Sequence, residues 1–117
     1  MITKKTKILI IGYGNFGQLL TELLLKYFDK VFVLSKNLKS ASIKNKKIIL
    51  LNFRQLGKIK KMDVVIPCVP ISQFEKAIKK INPFLKDQSI LIDVCSVKIY
   101  PKNIMQKFIN KNVYLIN

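Results

Sequence analysis

The chain has 117 residues, half of them hydrophobic, which is enough for one folded domain with a single core. No apolar run approaches the roughly 20 residues of a membrane span, and the apolar segment behind the basic N-terminus is too short for a signal peptide. The net charge is +16, but Arg54 is the only arginine and the lysines are spread along the chain, so we expect a solvated basic surface and not a nucleic-acid-binding protein.

The chain opens with a buried strand, a glycine-rich turn and a helix. Residues 8–11 are apolar throughout. The turn reads Gly12-Tyr13-Gly14-Asn15-Phe16-Gly17, and the apolar positions behind it, at helical spacing, are Leu19, Leu20, Leu23, Leu24 and Tyr27. Gly12 permits a tight turn, Gly14 leaves room for a pyrophosphate, and Gly17 allows the helix to pack closely on the strand. Since the N-terminus of such a helix attracts phosphate, residues 12–17 are predicted to bind a dinucleotide.

Strand and helix patterns alternate along the rest of the chain, which predicts a parallel sheet with crossover helices. The further strands are expected at 30–36, 46–52, 63–69, 89–97 and 113–116. The segments between them are expected to be a loop or poor helix at 37–45, a short helix over 53–62 bent near Gly57, a helix from just after Pro70 to Ile81, and a helix from near Pro101. Right-handed crossovers then give an α/β Rossmann-type fold over residues 1–117, with a doubly wound sheet of six strands in the order 3-2-1-4-5-6.

Two local features refine the fourth strand and the helix behind it. Proline lacks the amide hydrogen that a ladder needs, so Pro67 is expected to end the strand or to cause a bulge. Ser72 and Glu75 have the spacing of a capping box, which predicts that the helix begins just after Pro70.

The residue types at the end of the second strand indicate which of the two nicotinamide cofactors is bound. An Asp or Glu about 20 residues after the glycines usually binds the ribose 2′-hydroxyl of NAD, whereas a cation there accommodates the 2′-phosphate of NADP. Ser35 occupies the usual acidic position, Lys36 and Asn37 follow it, and Lys39 lies nearby. Because a hydroxyl and an ammonium suit a phosphate, Ser35, Lys36 and Asn37 are predicted to bind NADP in preference to NAD.

The end of the fourth strand is expected to contribute to the same site, because ligands of such sheets bind at the carboxyl ends of the strands. Cys68, Val69 and Pro70 would pass over the adenosine side of the cofactor, with Cys68 as a small buried hydrophobe. Cys68 and Cys95 are too few and too far apart for a zinc site or a disulfide framework, which fits a reducing compartment such as the cytoplasm or a plastid stroma.

The fifth strand ends in polar residues that allow two interpretations. Asp93, Cys95, Ser96 and Lys98 form a polar site beside the nicotinamide in the first. In the second, Asp93 satisfies local backbone groups, Ser96 lies in a turn and Lys98 is solvated.

The chain resembles the nucleotide-binding domain of the prephenate and arogenate dehydrogenases, enzymes of tyrosine biosynthesis. The matching segments are the glycine turn 12–17, residues 63–78, and above all residues 91–109, in which an Asp-x-x-Ser-Val-Lys strand end precedes a proline-started helix. The resemblance spans nearly all of residues 7–117. It is greatest to plant-like arogenate dehydrogenases, in which a Ser-Arg pair after the second strand accompanies NADP use, and Ser35 and Lys36 stand in that place.

The resemblance implies an oxidative decarboxylation in which a histidine takes the proton of the substrate's ring hydroxyl while hydride passes to the cofactor. The substrate would be arogenate or prephenate, and Ser96 would have a supporting role, either contacting the substrate hydroxyl or orienting the histidine. In the family that histidine follows the sixth strand, and a helical domain beyond it completes the substrate pocket and a homodimer. This chain contains no histidine, and its sequence stops at Asn117.

These departures lead us to expect a chain that binds NADP and does not turn over alone. It would be a truncated enzyme, a short reading frame or a retained nucleotide-binding domain. The alternative is a non-catalytic, nucleotide-sensing or regulatory Rossmann domain, which the lack of a base favours and the Asp-x-x-Ser-Val-Lys element argues against. A further alternative is another small NADP reductase family with the same fold.

Overall fold

A parallel sheet of six strands forms the centre of the computed structural model, which describes residues 2–36, 38 and 43–117. The strands are β1 (Ile8–Ile11), β2 (Val31–Leu34), β3 (Ile48–Leu51), β4 (Val64–Pro67), β5 (Ile90–Ile92) and β6 (Tyr114–Ile116). Neighbouring strands are parallel and lie in the order β3-β2-β1-β4-β5-β6, so the predicted Rossmann-type sheet is confirmed. The segment 37–45 and the candidate residue Asn37 fall partly or wholly outside the described residues.

Within the part of the chain that the structure describes, three α-helices and two 3₁₀ segments connect the strands. The helices are α1 (Asn15–Leu24), α2 (Ile71–Ile81) and α3 (Ile99–Phe108), and the 3₁₀ segments are Phe53–Lys61 and Asn82–Phe84. Within the described ranges, none of these helices has the length and apolar character needed to cross a membrane.

Alternate residues of each strand pack on opposite faces of the sheet, because successive side chains of a strand point to opposite sides. On one face Leu9 and Leu91 pack with Phe74 of α2 and Met105 of α3. On the other face Ile10, together with neighbouring residues of β2 and β4, packs beneath α1. Burial on both faces explains why the central strands are continuous apolar runs.

Only part of the apolar stripe of α1 contacts the sheet. Leu20 and Leu24 pack against the core, whereas Leu19, Leu23 and Tyr27 are exposed to 62%, 48% and 65%. The helix therefore presents apolar side chains on its outward side as well as toward the sheet.

The predicted capping box at Ser72 and Glu75 is wrong. Helix α2 begins at Ile71, just after Pro70 as predicted, but Pro70 is its N-cap and no side chain forms a hydrogen bond to the cap. Ser72 is already helical there, and Glu75 instead forms an ion pair with Lys79 at 3.2 Å. Pro67 is the last residue of β4, so the prediction that the strand ends near it is confirmed.

A capping box occurs instead at the 3₁₀ segment, where the sequence analysis placed none. The Asn52 side chain accepts from the Arg54 N–H at 2.9 Å, and the Gln55 side chain accepts from the Asn52 N–H at 3.0 Å. The bend expected at Gly57 lies at Gln55, which has non-helical dihedral angles (φ −107°, ψ 24°). The reciprocal side-chain bonds fix the entry to this segment and move its irregularity toward the N-terminus.

Asp63 joins the amino ends of three strands. Its N–H donates to the Lys7 carbonyl at 2.8 Å, and its own carbonyl accepts from the Ile90 N–H at 2.9 Å. The carboxylate accepts from the Lys7 N–H at 2.8 Å and from the Lys86 ammonium. The hydrogen bond from Lys86 is the main cause that lowers the pKa of Asp63 below its ordinary value, and the Lys7 N–H lowers it further.

We predict that Asp63→Asn lowers the free energy of unfolding at pH 7 by about 1 kcal/mol, the scale of hydrogen bonds to a partly exposed carboxylate. A folded pKa below the unfolded value stabilises the protein above the unfolded pKa of about 4, and this stabilisation is lost as the pH falls through the folded pKa. Urea unfolding at several pH values should therefore show a difference between variant and wild type that is constant near neutrality and narrows below about pH 4. Asp87→Asn removes the same charge from an exposed side chain and is the control. A difference that stays constant down to pH 2 would contradict the prediction.

Candidate functional site

The carboxyl ends of β1, β2 and β4 meet at Ile11 and Gly12. The Gly12 N–H donates to the Leu34 carbonyl at 2.8 Å, while the Ile11 carbonyl accepts from the Cys68 N–H at 2.7 Å. Gly12 has a φ of +95°, and a Cβ at this position would lie 2.5 Å from the Cys68 carbonyl oxygen. Only glycine fits this backbone. The chain thus leaves the sheet between β2 and β4, the point at which the strand order reverses and where such sheets bind ligands.

Helix α1 begins directly after this turn and packs closely on it. Gly14 is the N-cap, and the first hydrogen bond runs from the Gln18 N–H to the Gly14 carbonyl at 2.9 Å. A Cβ on Gly17 would lie 2.6 Å from the Gly12 carbonyl oxygen, so glycine is needed there for close packing. A Cβ on Gly14 would meet no atom within 4 Å. The space above the helix N-terminus is therefore open.

The N-terminus of α1 offers an anion three N–H groups and a positive dipole end. The first hydrogen bond within the helix is donated by the Gln18 N–H, so the N–H groups of residues 15–17 have no partner within the helix. The Gln18 side chain donates to the Tyr13 carbonyl at 3.1 Å and the buried Thr21 hydroxyl donates to the Gly17 carbonyl at 2.7 Å. These bonds hold the turn against the helix, so the donors are fixed before any ligand binds.

A cavity of about 580 Å³, here named the loop cavity, lies above the glycine turn. Its lining residues are Gly12, Tyr13, Gly14, Asn15, Phe16, Gly17, Pro67, Cys68, Val69, Pro70, Val94, Cys95 and Ser96. Among the described residues, all the predicted cofactor residues line this cavity except Ser35 and Lys36. The structure therefore brings together the ends of β1, β4 and β5.

A second cavity, of about 360 Å³ and here named the lysine cavity, lies on the β2 side. Its lining residues are Ile11, Gly12, Leu34, Ser35, Lys36, Phe53, Leu56, Val69, Pro70, Gln73, Lys76, Ala77, Lys80 and Ile81. Ser35 and Lys36, the predicted residues missing from the loop cavity, lie here. Gly12, Val69 and Pro70 line both cavities, so the two adjoin at the carboxyl ends of the strands, and together they are here named the groove.

Nine residues of the lysine cavity were missed at the sequence level: Ile11, Leu34, Phe53, Leu56, Gln73, Lys76, Ala77, Lys80 and Ile81. The spacing of the five α2 residues was visible, because positions 73, 76, 77, 80 and 81 follow the period of one helix face. Their approach to the end of β2 was not visible, because it depends on where the crossover from β4 places α2.

The two thiols of the groove are held in the protonated form. Burial, with a smaller contribution from the neighbouring Cys95, raises the pKa of Cys68 to about 12. Burial, followed by the hydrogen bond and charge of Asp93, raises the pKa of Cys95 to about 11. Since the thiolate is the nucleophilic form, neither cysteine is a nucleophile near neutral pH.

Asp93 lies behind the groove and not in it. Its side chain is fully buried and accepts from the Cys95 N–H at 2.8 Å and from the Asn117 side chain at 2.5 Å. The Lys98 ammonium lies 3.5 Å from the same carboxylate. Asp93 therefore satisfies local backbone groups and fixes the loop that carries Ser96, and Ser96 is the polar residue of this strand end that reaches the loop cavity.

Residues 24–117 match the family described as prephenate dehydrogenase, nucleotide-binding domain. The chain is 32% identical to chloroplastic arogenate dehydrogenase 1 of Arabidopsis thaliana over 104 residues, which are 86% of this chain and 16% of that protein. It is 35% identical to a probable arogenate/prephenate dehydrogenase of Methanocaldococcus jannaschii over 57 residues, which are 49% of this chain and 13% of that protein. The chain thus spans less than a fifth of the length of these relatives.

Among solved structures, the fold is similar to that of a prephenate dehydrogenase from A. aeolicus crystallised with hydroxyphenyl propionate and NAD+. The TM-score is 0.72 at 20% identity, and the match covers 92% of this chain and 40% of the other. The identity is low, so this likeness concerns the fold.

We predict that one glycine substitution lowers mainly the stability of the fold and that another abolishes mainly nucleotide binding. Gly17→Val should destabilise the fold by about 1–3 kcal/mol, because the new side chain meets the Gly12 carbonyl oxygen. Gly14→Val should change the free energy of unfolding by less than about 1 kcal/mol and abolish nucleotide binding, because the side chain enters the open space above the helix. Urea unfolding and calorimetric titration of the dinucleotides measure the two effects. Unchanged binding by Gly14→Val would show that the turn is only structural.

Proposed function

This chain belongs to the prephenate dehydrogenase family, as its nucleotide-binding domain, and we propose on that premise that it binds NADP(H) in preference to NAD(H). Residues 1–117 would form one dinucleotide-binding domain that holds the cofactor along the groove. The observation that carries the proposal is the pair of cavities joined at Gly12, Val69 and Pro70, one beside a bare helix N-terminus and one beside Ser35 and Lys36.

The chemistry of the groove suits the parts of a dinucleotide in order. The pyrophosphate would lie at Gly14, where no side chain intrudes and the N–H groups of residues 15–17 are available. The adenosine would occupy the lysine cavity, whose walls include Leu34, Phe53 and Leu56. The nicotinamide would enter the loop cavity beside Ser96.

The preference for NADP rests on the charges around the lysine cavity. Ser35 and Lys36 line it, and none of the six acidic residues of the chain does. A carboxylate at the end of β2 would accept a hydrogen bond from a ribose 2′-hydroxyl and would repel a 2′-phosphate. The groups present here do the reverse, since a hydroxyl and an ammonium both donate to a phosphate.

We predict that calorimetric titration gives tighter binding of NADPH than of NADH. Ser35→Asp should reverse the preference by weakening NADPH binding about tenfold or more, the scale of one charge-assisted hydrogen bond. Ser35→Asn, which has nearly the same size and no charge, separates the effect of the carboxylate from that of bulk. Equal affinities in the wild type, or tighter binding of NADH, would refute the preference.

We further propose that the chain contributes the cofactor half of an oxidative decarboxylation of arogenate or prephenate. When bound, the nicotinamide supplies the hydride acceptor. Ser96 would assist in positioning the substrate from the loop cavity, with Asp93 holding the Ser96 loop in place. The proton acceptor and the rest of the substrate pocket would have to come from outside these residues. Histidine is absent from the sequence, and the cysteines of the groove are protonated thiols.

We predict no dehydrogenase turnover by these 117 residues with either substrate. The loss of a general base alone costs about 10²–10⁴-fold in rate, and the loss of substrate positioning adds to it. The measurement is the absorbance of reduced nicotinamide with NADP and saturating arogenate or prephenate. Cofactor binding without turnover would also fit the alternative of a nucleotide-sensing domain. That alternative predicts that the cofactor changes the affinity of the domain for a partner protein.

Turnover that disappears in Ser96→Ala would contradict the prediction and would show that the chemistry lies within this chain.

A further inference from the structure

We propose that Lys76 of α2 is a specificity residue that binds a phosphate on the adenosine ribose, together with Ser35 and Lys36 at the end of β2. The inference rests on the proposed binding of a dinucleotide and extends it to a residue outside the strand ends. Its starting observation is that Lys76 lines the lysine cavity together with Lys36.

One face of α2 is directed at the cavity, and its neighbouring face is not. Gln73, Lys76, Ala77 and Lys80 all line the cavity, and their spacing is that of a single helix face. Lys79 is absent from the lining and forms an ion pair with Glu75 at 3.2 Å. Adjacent lysines of one helix thus have different surroundings.

Lys76 and Lys80 differ in what their ammonium groups contact. The Lys80 ammonium lies 4.5 Å from the centre of the Phe53 ring, a cation–π contact at the wall of the cavity. Among the described residues, Lys76 has neither a carboxylate within ion-pair distance nor an aromatic ring beneath its ammonium. Its charge is therefore available to a ligand.

The position of Lys76 along α2 also favours the ribose over the adenine. Pro70, the N-cap of α2, lines both cavities and so marks the point where the ribose would pass from one to the other. Residue 76 lies about 9 Å along the helix axis from Pro70 and residue 80 about 15 Å, at 1.5 Å per residue. Helical side chains tilt toward the N-terminus, which carries the Lys76 ammonium back toward Pro70.

The absence of acidic groups makes the cavity selective for an anion. None of the residues lining it is Asp or Glu, so Lys36 and Lys76 face a ligand without a neutralising partner. Two ammonium groups from different elements suit a phosphate dianion, and they gain nothing from a neutral 2′-hydroxyl. Lys76 should therefore act on the discrimination between the two cofactors and not on dinucleotide binding in general.

The test is a calorimetric titration of NADPH, NADH, 2′-AMP and 5′-AMP into the wild type, Lys76→Gln and Lys79→Gln. Lys79→Gln removes the same charge from the same helix outside the cavity and is the matched control. In Lys76→Gln we expect the affinity for NADPH and 2′-AMP to fall about tenfold, as for one charge-assisted hydrogen bond, and the affinity for NADH and 5′-AMP to change less than about twofold. Lys79→Gln should leave all four affinities within about twofold of the wild type.

The outcomes separate this inference from the proposed function. An equal loss for NADPH and NADH in Lys76→Gln, or no loss for either, would overturn the role of Lys76 while dinucleotide binding stands. A wild type that prefers NADH, together with a selective loss of 2′-AMP binding in Lys76→Gln, would support the role of Lys76 and overturn the NADP preference. A wild type that binds none of the four probes would overturn both.

Discussion

The whole site depends on the contact between two backbone segments at Gly12 and Gly17. Gly12 is bonded to β2 through its N–H, and the preceding Ile11 carbonyl is bonded to β4, so the turn is fixed on both sides of the sheet's switch point. The Gly12 carbonyl oxygen in turn lies only 2.6 Å from the position that a Cβ on Gly17 would take. Because two peptide backbones meet here without side chains between them, the N-terminus of α1 is held directly above the carboxyl ends of the strands. The proposed ligand contacts are all arranged around this helix N-terminus.

This arrangement divides the groove by the kind of chemistry each part supplies. The loop cavity includes all three glycines of the turn, which suit a pyrophosphate that is common to both cofactors. The lysine cavity is lined in addition by residues of the 3₁₀ segment and α2. Under the proposed function, binding of a dinucleotide would depend mainly on the turn, and choice between dinucleotides would depend mainly on the lysine cavity.

The features that could be predicted from the sequence are those set by local backbone chemistry. The glycine turn, the end of β4 at Pro67 and the strand order follow from φ preferences, missing N–H groups and crossover handedness. The position of the capping box could not be chosen on spacing alone. Asn52 and Gln55 have the same spacing as Ser72 and Glu75, and the difference is that Pro70 starts α2 early enough to make Ser72 helical.

The α2 wall of the groove could not be predicted for a different reason. The periodicity of α2 shows that residues 73, 76 and 80 share a face, but it does not show which other element of the fold that face lies against. That is decided by the crossover from β4, which brings α2 over β1 and toward the end of β2. A residue list based on strand ends therefore contained Ser35 and Lys36 and omitted Lys76.

The electrostatic environment of the groove depends more on where the carboxylates lie than on how many lysines the chain has. With a net charge of +16, lysines lie on every part of the surface, and a basic residue alone says little. Three carboxylates, those of Asp63, Glu75 and Asp93, pair with Lys86, Lys79 and Lys98, and none of these pairs lines the lysine cavity. The charges of these three lysines are thereby partly neutralised, whereas no carboxylate lines the lysine cavity. Under the proposed function, this absence of carboxylates, more than the number of lysines, would favour a ligand with an additional phosphate.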